Sequence, residues 1–209
     1  MKRVTFWFDV VSPYAYLAFE HLPQALQGSS YAVEYRPVLF AGMLKQWGQK
    51  GPAEIEPKRA WTFRQVHWQA HQLGIAIDTP AAHPFNPLPL LRLLQAAGPN
   101  RHTCELVFRH VWRGGGAADD PARLQALAAQ LQPADDPNGD AVKAALRASS
   151  DEAVAKGLFG VPTVECDGRL FWGLDSLPMV AAALRGDPLF DGPTWEREGA
   201  PRPGITRKA

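Results

Sequence analysis

The spacing of apolar positions changes along the chain from strand-like to helical and back. Val4 to Asp9 (Val-Thr-Phe-Trp-Phe-Asp) is a β-branched and aromatic run that reads as a buried strand. Ser12-Pro13 follows, a good helix N-cap and the residue favoured at the first helical position. Tyr14, Leu17, Ala18, Leu22 and Leu26 then recur at helical spacing until Gly28-Ser29-Ser30. Tyr31 to Val38 alternates, with Val33 and Tyr35 set against Ala32, Glu34 and Arg36, which predicts a second strand. Leu39 to Glu56 carries Gly42, Gly48, Gly51 and Pro52 and reads as a loop with a helical turn near Met43 to Trp47. A helix is predicted from Pro57-Lys58 to Leu73, stopped by Gly74, then a Pro-rich loop from Ile75 to Pro89. Further helices are predicted over Leu88–Ala97, Arg101–Trp112, Pro121–Leu131 and Asp140–Ala148, with Ser150-Asp151-Glu152 capping a separate short helix to Lys156. Strands return at Thr163–Asp167 and Arg169–Trp172, around the hairpin signal Asp167-Gly168. Asp175 is positioned to cap a last helix over Leu177–Leu184. The tail from Asp187, with Pro188, Pro193, Pro201 and Pro203, reads as irregular and packed by Phe190 and Trp195.

The order is thus β-α-β, a helical block, then β-β-α. This organisation predicts a discontinuous domain of residues 1–38 and 157–209, interrupted by a connecting loop and helical insertion over 39–156. The 209 residues are 46% apolar and 21% charged, which suits a packed globular domain. A net charge of +1 and the lack of a basic stripe argue against nucleic acid as a partner. Met1-Lys2-Arg3 begins like a charged leader, but the apolar run after it is short and ends in Asp9. No run approaches the ~20 apolar residues of a membrane span, so the expected compartment is the cytoplasm, with no membrane partner. Cys104 and Cys166 are far apart, without a metal-ligand neighbour, and read as reduced, buried thiols; no metal site is expected. Gly114-Gly115-Gly116 lacks the Gly-Lys-Ser/Thr ending of a phosphate loop and reads as a helix break.

Two short motifs carry chemistry. Gly160-Val161-Pro162-Thr163 places a proline at the entry to a strand, tolerated only where its missing N–H is not needed. β-α-β followed by β-β-α is the thioredoxin plan, and the helical block falls where the disulfide oxidase DsbA carries its insertion. In thioredoxin-like folds a cis-proline loop faces the start of the first helix and leaves backbone groups free for a peptide-like ligand. Opposite it stands Ser12-Pro13-Tyr14-Ala15, where redox relatives have Cys-X-X-Cys. No disulfide can form there, so disulfide chemistry is not expected. A hydroxyl and N–H groups at the positive end of a helix remain, an arrangement that can stabilise a thiolate supplied by a ligand. Ser12 alone is an N-cap; with Val161-Pro162 downstream it becomes a candidate for that role.

The segments Phe8-Asp9-Val10-Val11-Ser12-Pro13-Tyr14-Ala15-Tyr16-Leu17-Ala18, Gly160-Val161-Pro162-Thr163 and Phe171-Trp172-Gly173-Leu174-Asp175-Ser176-Leu177 resemble, in order, the motifs of the kappa-class glutathione transferases and 2-hydroxychromene-2-carboxylate isomerases. The resemblance spans about residues 4–185. It implies an α/β, DsbA-like thioredoxin fold with a large all-helical insertion, glutathione as cofactor, a small aromatic substrate and a homodimer. By resemblance, Ser12 is catalytic and hydrogen-bonds the glutathione sulfur, while Val161 and Pro162 take the cysteinyl backbone. Asp175 and Ser176 hold the γ-glutamyl end, and Lys58 holds a carboxylate of glutathione or substrate. Asn86 and Trp172 would contact substrate; Arg92 would brace helices, and His83 is read as a polar loop residue. Trp61 and Gln65 stand where some relatives have Tyr and Asp, a departure in the acceptor pocket. The implied reaction is isomerisation of 2-hydroxychromene-2-carboxylate to trans-o-hydroxybenzylidenepyruvate by transient thiolate addition. Conjugation of small electrophiles by the same thiolate, and a non-catalytic peptide-binding module on the Val161-Pro162 edge, are the alternatives.

Overall fold

The computed structural model describes residues 1–200, Arg202 and Gly204; Pro201 and Pro203 of the expected irregular tail lie outside the described residues. Strands β1 (Lys2–Phe8), β2 (Tyr31–Pro37), β3 (Thr163–Cys166) and β4 (Arg169–Trp172) form a sheet in the order β2-β1-β3-β4. β1 is parallel to β2 and antiparallel to β3, with Trp7 opposite Thr163; Thr163 in turn faces Trp172 on β4. The Asp167-Gly168 turn has φ of 50° and 75°, the paired positive angles that match the twist of a two-residue hairpin.

Strand alternation divides the core between the two faces of the sheet. Val4, Phe6 and Phe8 join the larger cluster, under α1 (Pro13–Ala25), α4 (Leu88–Ala97), α5 (Arg101–Trp112) and α8 (Leu177–Leu184). Phe108 is an aromatic hub there, with ring centroids 5.1 Å from Phe8 and 4.9 Å from Phe19. Trp7 points the other way, into a smaller cluster with Val38, Met43, Ala153, Leu158 and Val161. This second layer comes from α2 (Phe40–Gln46) and α7 (Asp140–Ala155). α3 (Glu56–Leu73) and α6 (Pro121–Leu131) complete the helical insertion between β2 and β3. The architecture is the expected α/β thioredoxin-like fold with an all-helical insertion. No helix among the described residues is long and apolar enough to cross a membrane.

The structure corrects three local readings. Asp140–Ala148 and the short helix to Lys156 are one helix, α7, with Ser150 in its interior. Ser150-Asp151-Glu152 is not a cap: Ser150 Oγ donates to the Leu146 carbonyl one turn back and accepts from Leu39 N–H, and the neighbouring Ser149 Oγ donates to Pro37 O. Asp175 does not cap α8, because a 3-10 turn over Leu174–Ser176 leads into that helix. The described tail is ordered: a 3-10 turn over Pro188–Asp191 precedes α9 (Pro193–Gly199). Asp187-Pro188 and Gly192-Pro193 are starts rather than breaks, since proline suits the first helical position. Phe190 and Trp195 do pack as expected, at 5.6 and 6.2 Å from Phe171 and 5.0 Å from each other.

Candidate functional site

The start of α1 meets the loop before β3. Ser12 is the N-cap of α1; its buried Oγ accepts from Ala15 N–H at 3.2 Å, satisfying one of the free donors of the first turn. The same hydroxyl donates to Val161 O at 3.4 Å, a long bond that holds the proton only weakly. The Val161–Pro162 peptide is cis, and the Val161 N–H has no hydrogen-bond partner among the described residues. Pro162 O accepts from Gly173 N–H at 2.9 Å, tying the loop to the segment after β4.

Trp172 ends β4 against Gly160. A Cβ on Gly160 would stand 2.5 Å from the indole Nε1, so the ring can lie there only over glycine. Trp172 is 54% exposed and its ring centroid is 5.0 Å from that of Phe159, also largely exposed. Ser176 is buried with its hydroxyl turned onto Gly173 O at 2.8 Å, while Asp175 is exposed. Tyr14, in the first turn of α1, donates to Gln65 Oε1 at 2.7 Å. The Leu174–Ser176 turn packs against α1, which puts Asp175 on that side; burial raises the Tyr14 pKa and the Asp175 carboxylate adds to it. Ser12, Val161, Pro162, Trp172 and Asp175 therefore surround one end of the sheet.

Lys58 and Asn86 are not drawn into this group by any contact. Lys58 is exposed in the first turns of α3 and has no salt bridge among the described residues. Asn86 uses its Oδ1 to accept from Leu88 N–H, closing the turn that starts α4. Trp61 and Trp68 lie on the outer side of α3, 62% and 61% exposed. A depression of about 620 Å³ lies elsewhere, beside β2 and the start of α5; Arg3, Tyr35, Asn100 and Arg101 help line it, and Ser12 and Val161 do not.

Sequence reasoning did not single out what holds the turn before Ser12. Asp9 is fully buried; its Oδ1 accepts from Val11 N–H at 3.0 Å and its carbonyl from Ser12 N–H at 3.1 Å. Trp112 Nε1 donates to Val10 O at 2.9 Å. His83 is not simply a polar loop residue: its Nε2 lies 2.8 Å from Val11 O, and its ring packs against Phe63, Phe85 and Trp112. Burial lowers the His83 pKa, so the neutral ring with Nε2–H donating fits this place. The one available signal was Asp9 itself, the sole charged residue between Val4 and Ser12.

Cys104 and Cys166 are buried, and burial raises both thiol pKa values, which suppresses the reactive thiolate. A chromogenic disulfide reagent is expected to leave the native protein unreacted and to titrate both thiols after denaturation. Rapid reaction of the native protein would show that one of them is accessible.

Residues 3–185 match the family described as DSBA-like thioredoxin domain. The chain is 27% identical to glutathione S-transferase kappa 2 of Caenorhabditis elegans, over 94% of this chain and 97% of that protein. It is 27% identical to a 2-hydroxychromene-2-carboxylate isomerase of Pseudomonas sp. (strain C18), over 89% and 92%. A solved 2-hydroxychromene-2-carboxylate isomerase structure superposes with a TM-score of 0.76 at 22% identity, covering 90% of this chain and 97% of that one.

Proposed function

The chain belongs to the DSBA-like thioredoxin domain family, and from that premise we propose that it is a glutathione-dependent isomerase acting on an aromatic substrate such as 2-hydroxychromene-2-carboxylate. The observation that carries the reading is Ser12: a hydroxyl, not a thiol, caps α1 and reaches across to the Val161 backbone.

The residues fit glutathione. Among the described residues Val161 offers an N–H without a partner and a carbonyl held by the long bond from Ser12 alone, which suits the cysteinyl backbone of a tripeptide. Asp175, exposed beside the start of α1, would meet an α-ammonium group; the Ser176 and Leu177 N–H groups are taken by Gly173 O and Leu174 O, so Ser176 would engage the γ-glutamyl carboxylate only through its hydroxyl. When bound, glutathione would supply the thiolate nucleophile that the protein lacks. Ser12 would turn its proton from Val161 O to the sulfur, favouring the anion while Ala15 N–H continues to hold the oxygen. Trp172, in tilted contact with Phe159 and open to solvent, would wall a flat substrate. Lys58, exposed at the start of α3, and the Asn86 amide nitrogen would engage a substrate carboxylate or oxygen.

A second reading, conjugation of an electrophile as in a kappa-type transferase, draws on the kappa 2 relative and uses the same residues. Titration calorimetry with reduced glutathione is expected to show binding at pH 7, weaker for an analogue without sulfur. Turnover of 2-hydroxychromene-2-carboxylate that requires glutathione without consuming it supports the isomerase. Stoichiometric loss of glutathione to an electrophile supports the transferase, and no binding at millimolar glutathione removes both.

A further inference from the structure

Asp9 does more than close the turn that precedes Ser12. A carboxyl group with no exposed surface is tolerable only if its oxygens are satisfied. Here the two oxygens serve different parts of the fold. Oδ1 takes Val11 N–H at 3.0 Å, and Oδ2 takes Phe40 N–H at 2.9 Å. Val11 precedes the cap of α1; Phe40 is the first residue of α2, whose own cap position, Leu39, supplies no side-chain acceptor.

α2 in turn reaches the proline loop. Trp47, at its C-terminal end, donates its indole N–H to Leu158 O at 2.8 Å. Met43 from the middle of α2 is fully buried in the cluster that contains Leu158 and Val161. One carboxyl group is therefore bonded to the Ser12 turn through one oxygen and, through the other, to the helix that supports Val161. Both halves of the candidate site refer to the same side chain.

We propose that Asp9 is a positioning residue that sets the separation between the Ser12 hydroxyl and the Val161 backbone by anchoring the α1 turn and α2 together. The inference deepens the glutathione reading and rests on it for its functional meaning, while its structural content can be measured without ligand. An Asp9→Asn side chain has one acceptor oxygen and an amide that cannot accept, so one of the two N–H groups loses its partner.

The test is amide and indole hydrogen exchange by NMR on the full chain, comparing the native protein with Asp9→Asn. The expected result is about tenfold faster exchange at the Trp47 indole N–H, with shifted Leu158, Gly160 and Val161 amides, in addition to the local change at Val11 and Phe40. Changes confined to Val11, Ser12 and Phe40 would overturn the proposal, because Asp9 would then be a local turn cap. If Asp9→Asn does not fold, the comparison of Phe40→Pro with Phe40→Ala decides: both remove the ring that packs against the cluster of Met43, Leu158 and Val161, and only proline also removes the donor to Asp9, at a position where a helix accepts it. A shift at Trp47 and Val161 in Phe40→Pro beyond that in Phe40→Ala supports the proposal, and none overturns it. Where the native protein binds glutathione, ultraviolet thiolate absorbance of the complex gives the functional readout. Asp9→Asn is expected to raise the bound thiol pKa by about one pH unit; an unchanged thiol pKa in a folded variant sinks the positioning role. Failure of the native protein to bind glutathione removes the proposed function and leaves the exchange result to decide on Asp9.

Discussion

Replacing Ser12 by Ala is expected to lower glutathione-dependent turnover about a hundredfold while glutathione affinity falls far less. In the proposed glutathione complex, the hydroxyl that donates to Val161 O would turn to the sulfur. Its contribution is to the anion rather than to the neutral tripeptide, so the loss belongs in rate and in thiol acidity. The substitution also uncaps Ala15 N–H, which costs about 1 kcal/mol of stability and could disturb α1 by itself. Ser12→Gly separates the two effects, since glycine at an N-cap costs only a few tenths of a kcal/mol yet brings no hydroxyl. Steady-state kinetics of both variants, with melting curves alongside, are the measurement. Two slow variants with different stabilities place the hydroxyl in the chemistry. A Ser12→Gly protein with native rates leaves Ser12 as a cap alone.

The second large effect concerns stability against pH. Burial raises the Asp9 pKa from the ordinary 3.8 to about 7, against the opposing pull of its backbone N–H bonds. The folded chain therefore binds the Asp9 proton more tightly than the unfolded chain does. Between about pH 4 and pH 7 the folded state holds the extra proton, so the Asp9 contribution to stability falls as pH rises. At about 1.4 kcal/mol per pH unit, the change from pH 4 to pH 7 is on the order of 4 kcal/mol, and the slope ends once the folded carboxyl ionises. His83 works in the opposite sense, because its lowered pKa removes stability as pH falls below 6.5. Comparison with Asp9→Asn isolates the first term. Urea unfolding is expected to show the native protein more stable than the variant near pH 4.5, with the gap narrowing up to about pH 7 and level from there to pH 8. Parallel curves across that range would mean that Asp9 is ionised in the folded state throughout.

Most elements were legible because their boundaries carry local chemistry. α4, α5, α6 and α8 fall where proline, asparagine or glycine marks an end, and the Asp167-Gly168 turn follows from two residues that accept positive φ. What misled was local chemistry with a distant partner. Ser150 looked like a cap because its sequence neighbours suit one, but its hydroxyl is satisfied by Leu146 and Leu39. α2 was legible only as a turn, since the acceptor for Phe40 N–H comes from Asp9. At the candidate site, Ser12 and the Val161-Pro162 loop could be paired from motif order alone. The support around them could not: Trp112, His83 and Asp9 converge on backbone atoms of Val10 and Val11, and no spacing rule links position 9 with 83 and 112.

The place of β1 in the sheet bears on how the chain can be made. Its partner β2 follows after one helix, but its other neighbour, β3, starts only at Thr163. On the ribosome the first strand and the Ser12 turn would emerge with one edge bare until Thr163–Cys166 has been synthesised, leaving the apolar sequence around Phe6, Trp7 and Phe8 exposed to chaperones or to neighbouring nascent chains.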